Sequence, residues 1–174
     1  LMGLAHLGWE LDNDIQTLPQ VLTDHGYETY LFGLQHEARS RNVASLGYQH
    51  VGRQGKAWEV ADDVTSFLEG RDSPLPFYAS VGFFESHRSY DQPEYTPDNP
   101  RKISVPSYLP DVPGVRQEVG KLQGMIRALD TAVGQILTTL QETGLWDDTL
   151  VIFTTDHGVA MPRAKGTLYD HAWI

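Results

Sequence analysis

The sequence predicts an α/β protein, a three-layer α/β/α sandwich around a mostly parallel sheet. Three observations lead there. Helix-like and strand-like segments alternate along the chain, as βα units require. The strand-like segments are short apolar runs rather than strict alternations, which suits strands covered on both faces. The last of them runs directly into an acid and an imidazole, at the carboxyl end of a strand, where open α/β folds put their sites.

Each element has a local reason. Residues 15–25 read as a helix, with Asp14 or Thr17 available as caps and Gly26 as its stop. Residues 27–32 follow as a short strand of aromatic and β-branched side chains. Residues 57–68 carry Val60, Val64, Phe67 and Leu68 at helical spacing and end before Gly70. Residues 77–84 are nearly all apolar, as expected of an interior strand. Residues 115–143 form the longest predicted helix, whose broad face from Val115 and Val119 through Met125, Ile126 and Leu140 reads as core rather than partner surface; Gly144 closes it. Residues 150–155 are the last predicted strand. Helix and strand in this order imply parallel pairing through right-handed crossovers. Between Glu85 and Pro113 the chain carries prolines 93, 97, 100, 106, 110 and 113. A loop of that length is functional or mobile in most compact domains, so it is either a rim of a pocket beside His87 or a surface excursion.

Composition narrows the function. With 174 residues and 40% hydrophobic side chains the chain can bury a core. A formal charge of −10, with 13 scattered basic residues, argues against a nucleic-acid partner. No apolar run approaches the roughly 20 residues of a membrane span. The absence of cysteine excludes disulfides and cysteine-ligated zinc while leaving the compartment open. Oligomeric state is not legible.

The most informative stretch is Leu150-Val-Ile-Phe-Thr-Thr-Asp156-His157-Gly158, followed by Arg163-Ala-Lys165. A carboxylate beside a neutral imidazole suits a divalent cation, and Lys165 adds a fixed positive charge for an anionic group. Taken alone, such a pair is more often a polar turn after a strand. His36, after a strand-like segment, and His87, in Glu85-Ser-His87-Arg88, have equally plain readings as a turn cap and a loop residue. Arg88 and Arg163 flank these positions and suit an acidic substrate, although arginines beside functional residues are common. His6, His25, His50 and His171 read as structural or solvent-exposed.

The segment from Asp156 to Tyr169 resembles the C-terminal signature of the sulfatase family in the alkaline-phosphatase superfamily. Two further segments are similar to that family: Thr17 to Gly33, leading into Gly33-Leu34-Gln35-His36, and Pro76 to His87. The resemblance spans nearly the whole chain, and its downstream pattern around Val105-Pro-Ser-Tyr looks closest to the heparan N-sulfatase-like branch. It implies an alkaline-phosphatase-like partial domain, with Asp156 and His157 as metal ligands, Lys165 as a sulfate ligand, His87 as a substrate-binding residue and His36 beside the nucleophile. His36, His87 and Lys165 are then the catalytic set. The oxygen-rich site of the family suggests calcium, while His157 leaves magnesium and manganese open. The family's formylglycine arises in a Cys/Ser-x-Pro/Ala-x-Arg motif, which does not occur in these residues, so it is expected upstream.

Residues 1–174 are accordingly expected to be part of a single sulfatase catalytic domain, without its N-terminal portion and C-terminal subdomain, and inactive by themselves. Where the family motif has lysine this chain has Leu34, with Arg39 and Arg41 the nearest cations in sequence. The function implied for the intact enzyme is metal-dependent hydrolysis of sulfate esters or sulfamates on a small molecule or glycan. The alternatives are a phosphodiester or phosphonate monoester hydrolase of the same superfamily and a non-catalytic domain that binds anionic glycans.

Overall fold

The computed structural model describes residues 11, 12, 14–155 and 158–165. It falls into two compact units that divide between Phe84 and Glu85.

The first unit is built on a parallel sheet of order β2-β1-β3, with β1 at Glu28–Gly33, β2 at His50–Val51 and β3 at Phe77–Gly82. Two helices, α1 (Leu18–Asp24) and α2 (Ala57–Glu69), complete it. Helix α1 begins at a capping box. Thr17 Oγ1 accepts from Gln20 N, and Gln20 Oε1 accepts from Thr17 N at 2.9 Å. This box, rather than Asp14, sets the start, so the helix is shorter than the 15–25 expected. Side chains of β1 alternate across the sheet. Tyr30 and Phe32 meet Phe67 of α2, at ring separations of 4.2 and 5.6 Å. On the other face Thr29 Oγ1 lies 3.1 Å from Thr23 Oγ1 of α1. Helix, sheet and helix are thus three layers, as the alternation of elements predicts.

One ion pair fastens the edge of this unit. Arg71, 6% exposed at its side chain, donates to Glu28 Oε2 at 2.6 Å and also to the Leu75 carbonyl. Its guanidinium lies over the Phe77 ring, 4.9 Å from the centroid. The hydrogen bond from Arg71 is the main reason that the Glu28 carboxyl is held below its ordinary range.

The second unit is organised by α3 (Pro113–Glu142), which starts with proline in its first turn, a position where the missing N–H costs nothing. The proline-rich segment before it is packed rather than free. Tyr90, Tyr95, Ile103 and Leu109 are buried, Asp98 N donates to Gly120 O at 2.9 Å, and Arg127 reaches the Asp98 carboxylate and the Thr96 carbonyl. Contact is this close because Gly120 and Gly124 have no side chain. A Cβ on Gly124 would stand 2.5 Å from the Thr96 carbonyl oxygen.

Three further expectations need correction. Residues 77–84 were expected to be an interior strand, but β3 ends at Gly82, is half-buried throughout and occupies an edge of the three-strand order. Residues 150–155 do not form the expected strand, and Leu150, Ile152 and Phe153 are 85%, 76% and 75% exposed. A parallel strand is held by hydrogen bonds to a neighbour, and this segment joins no sheet among the described residues. Ile126, expected on the apolar face of α3, is exposed as well. Conversely, β2 and the 3-10 turns at Ser40–Leu46, Pro100–Lys102 and Trp146–Asp148 were not anticipated.

Two measurements check this packing. Gly124→Val should lower stability by more than about 2 kcal/mol in urea unfolding, since overpacking at a rigid backbone contact costs about 1–3 kcal/mol. Gly134→Ala, where an added Cβ meets nothing within 4 Å, should instead raise stability by up to about 1 kcal/mol through helix propensity. The Glu28 pair should make stability pH-dependent. Because its folded pKa is depressed, its contribution is present above the ordinary carboxylate range and is lost as pH falls through the folded value. The urea midpoint of the wild type should therefore exceed that of Glu28→Gln at pH 7 and converge with it in acid, once the pH has fallen through the depressed folded value.

Candidate functional site

The first unit presents His36 just beyond the carboxyl end of β1. Gly33 has φ 72°, and a Cβ on either Gly33 or Gly82 would run into backbone across β1 and β3. With no side chain in the way, Leu34 N donates to Gly82 O at 2.8 Å and the two strand ends leave the sheet side by side. The next turn is closed by a side chain. Gln35 Oε1 accepts from Ala38 N and Gln35 Nε2 donates to Ala38 O, both at 2.9 Å. That buries Gln35 and leaves His36 exposed. Leu34, at the position where the family resemblance calls for lysine, is half-buried and supplies neither charge nor hydrogen bond through its side chain. Arg39 is exposed at the start of the following 3-10 turn, and the Arg41 side chain lies outside the described residues.

The second unit carries both His87 and Lys165. His87 is exposed, with its Nδ1 against the Arg88 carbonyl. Arg88 Nη1 donates to Ala160 O at 3.0 Å, and the Tyr90 hydroxyl donates to the same oxygen at 3.4 Å. The Arg88 guanidinium covers the Tyr90 ring at 5.1 Å and pairs with Glu118 of α3 at 2.9 Å. Lys121, one turn further along α3, joins Glu118 to Asp91 at 3.5 and 3.1 Å. These two carboxylates raise the Lys121 pKa, Asp91 more strongly. Burial raises that of Tyr90, so its hydroxyl stays protonated and able to donate.

On the other side of Ala160 the chain folds back on itself. Met161 N and Lys165 N both donate to Val159 O, at 2.9 and 3.0 Å, and Ala164 N donates to Met161 O at 3.0 Å. This compact turn holds Lys165 half-buried, and its ammonium has no hydrogen bond or ion pair among the described residues. The segments bearing His87 and Lys165 are therefore tied through one carbonyl. The arrangement can offer an imidazole to an anion, together with an ammonium that meets no carboxylate among the described residues.

Asp156 and His157, the expected metal ligands, lie outside the described residues. Among the described residues no group of three or more His, Asp or Glu side chains could hold a metal ion. A carboxylate and an imidazole remain a donor set that fits a divalent cation. Sequence reasoning missed Tyr90, Glu118 and the Ala160 carbonyl. Tyr90 and Glu118 carried no motif, and a backbone carbonyl leaves no trace in side-chain pattern. Arg88, considered as a substrate contact, is instead engaged with Ala160, Tyr90 and Glu118.

Comparison with known proteins bears on what this arrangement belongs to. The Sulfatase family model matches residues 2–173. The chain is 26% identical to human N-sulphoglucosamine sulphohydrolase over 89% of its own length and 36% of that protein's. It is 30% identical to an endo-4-O-sulfatase of Bacteroides thetaiotaomicron over 79% of its length and 30% of that protein's. The yidJ protein of Bacteroides fragilis superposes with a TM-score of 0.69 at 20% identity, over 87% of this chain and 45% of that one, which speaks to the fold alone. The chain thus spans about a third of the length of these two curated relatives. With the motif between Asp156 and Tyr169 and a family match from residue 2 to residue 173, the chain belongs to the sulfatase family.

Proposed function

We propose that this chain contributes substrate-binding and proton-transfer groups to the hydrolysis of sulfate esters or sulfamates. The observation that carries the reading is the tie through Ala160, which holds the segment of His87 against the segment of Lys165. In the reaction the bond from sulfur to the leaving oxygen or nitrogen breaks, water supplies the oxygen that ends on sulfur, and the leaving group takes a proton. Lys165 neutralises the sulfuryl oxygens. His87 hydrogen-bonds the same group and donates the proton to the leaving atom. His36, exposed after β1, hydrogen-bonds the nucleophile. Asp156 and His157 would hold the divalent cation, calcium before magnesium or manganese, whose Lewis acidity when bound stabilises charge on the sulfuryl oxygens. The formylglycine nucleophile belongs to a motif outside these residues. The name of the human relative, N-sulphoglucosamine sulphohydrolase, supports a sulfated sugar as the substrate class.

A second reading rests on Leu34. A domain without the lysine of the family motif would bind anionic glycans and turn nothing over. Kinetics separate the two. Lys165→Ala and His87→Ala in the full-length protein should each lower turnover of an aryl sulfate on the order of 100-fold, as loss of one preorganised donor does. Wild-type turnover in both variants would contradict the roles assigned. A wild-type protein that binds sulfated glycans but cleaves neither aryl sulfate, sulfamate nor phosphodiester would favour the binding domain.

A further inference from the structure

An arginine beside an anion site competes for the anion, because its planar fork fits sulfate through two parallel hydrogen bonds. Arg88 directly follows His87 and is such an arginine. Its fork is already occupied. Nη2 donates to Glu118 Oε2 at 2.9 Å, Nη1 donates to Ala160 O at 3.0 Å, and the guanidinium lies over the Tyr90 ring at 5.1 Å. Of these three partners only Glu118 carries a charge. The Arg88 side chain is half exposed, so burial does not confine it, and the carboxylate is what opposes its release toward an anion.

Glu118 is itself held in place. Its Oε1 lies 3.5 Å from Lys121 Nζ, one turn further along α3, and Lys121 Nζ is 3.1 Å from Asp91. One carboxylate thus takes Arg88 on one oxygen and Lys121 on the other. Through them α3 grips residues 88 and 91, on both sides of the buried Tyr90. A lone surface pair stabilises little, whereas linked charges hold one another's geometry. Geometry is what the neighbouring imidazole needs. His87 Nδ1 lies against the Arg88 carbonyl, so the ring turns with the backbone of Arg88. A displacement of about 1 Å at a reacting group is enough to lower turnover severely.

We infer that Glu118 is a positioning residue that acts through Arg88: it keeps the guanidinium on the Ala160 carbonyl and off the substrate, so that His87 and Lys165 alone meet the sulfuryl group. This deepens the function proposed above and rests on His87 and Lys165 serving one anion.

The test is a double-mutant cycle on the full-length protein, read by calorimetry with inorganic sulfate and by turnover of an aryl sulfate. Glu118→Gln keeps the size of the side chain and removes its charge. It should bind sulfate about three- to fivefold more tightly than wild type, the size of a partly exposed ion pair, because Arg88 is then released to take the anion. Its kcat should fall by about fivefold or more without a rise in KM, since the ground state is held better and the transition state worse. Its Tm should stay that of the wild type. In an Arg88→Gln background the same change at Glu118 should alter sulfate binding by less than about twofold. Equal tightening in both backgrounds, or none in Glu118→Gln, overturns the role of Glu118. Weaker sulfate binding with a lowered Tm marks a merely structural role and overturns it as well. Tightening that depends on Arg88, in a protein that turns over neither aryl sulfate nor sulfamate, upholds the role and contradicts the sulfatase reading.

Discussion

The carbonyl of Ala160 is the constraint on which the second unit's chemistry depends. It accepts from Arg88 and from Tyr90, and so links the segment that follows β3 to the turn that carries Lys165. The hydrogen bonds themselves stabilise by about 1 kcal/mol each. The Arg88–Glu118 pair adds little, because the Arg88 side chain is half exposed and a surface ion pair contributes about 0–1 kcal/mol. Burial of Tyr90, 2% exposed, contributes about 2 kcal/mol for a side chain of that size, about as much as the two hydrogen bonds together. The polar groups fix where the two segments meet, and the buried ring adds a comparable share of the energy that keeps them there.

Helix α3 is the support behind that contact. Its first turns hold Glu118 and Lys121, which pin Arg88 and Asp91, while Gly120 and Gly124 let the backbone of residues 96–98 lie directly against the helix. A long proline-rich segment is thereby converted into a packed element that lines the groove beside Arg163. Proline keeps the segment extended and removes backbone donors that packing would leave unsatisfied. The cost of ordering it is offset by burial of Tyr95, Ile103 and Leu109.

Much of the fold was legible because local pattern and tertiary role agree. The apolar spacing of Val60, Val64 and Leu68 gives α2, and the aromatic and β-branched run gives β1. His87 and Lys165, singled out by the family resemblance, lie in segments tied through the Ala160 carbonyl. Sequence pattern failed where structure depends on a partner. The run 150–155 has strand composition and yet pairs with nothing among the described residues, since pairing is a property of two segments. The two-residue β2 is too short to show a period. The role of the Gly120 and Gly124 pair was readable in principle, as two glycines one turn apart inside a helix otherwise lower its stability without reason.

The central claim is that His87 and Lys165 serve one anion. Selenate has the shape and charge of sulfate and an anomalous signal that marks its position. Crystals of the full-length protein soaked in selenate should show a peak within hydrogen-bond distance, about 3 Å, of both the Lys165 Nζ and a His87 ring nitrogen. A peak that contacts neither, or the two side chains directed to separate places with the Ala160 contacts intact, would contradict it.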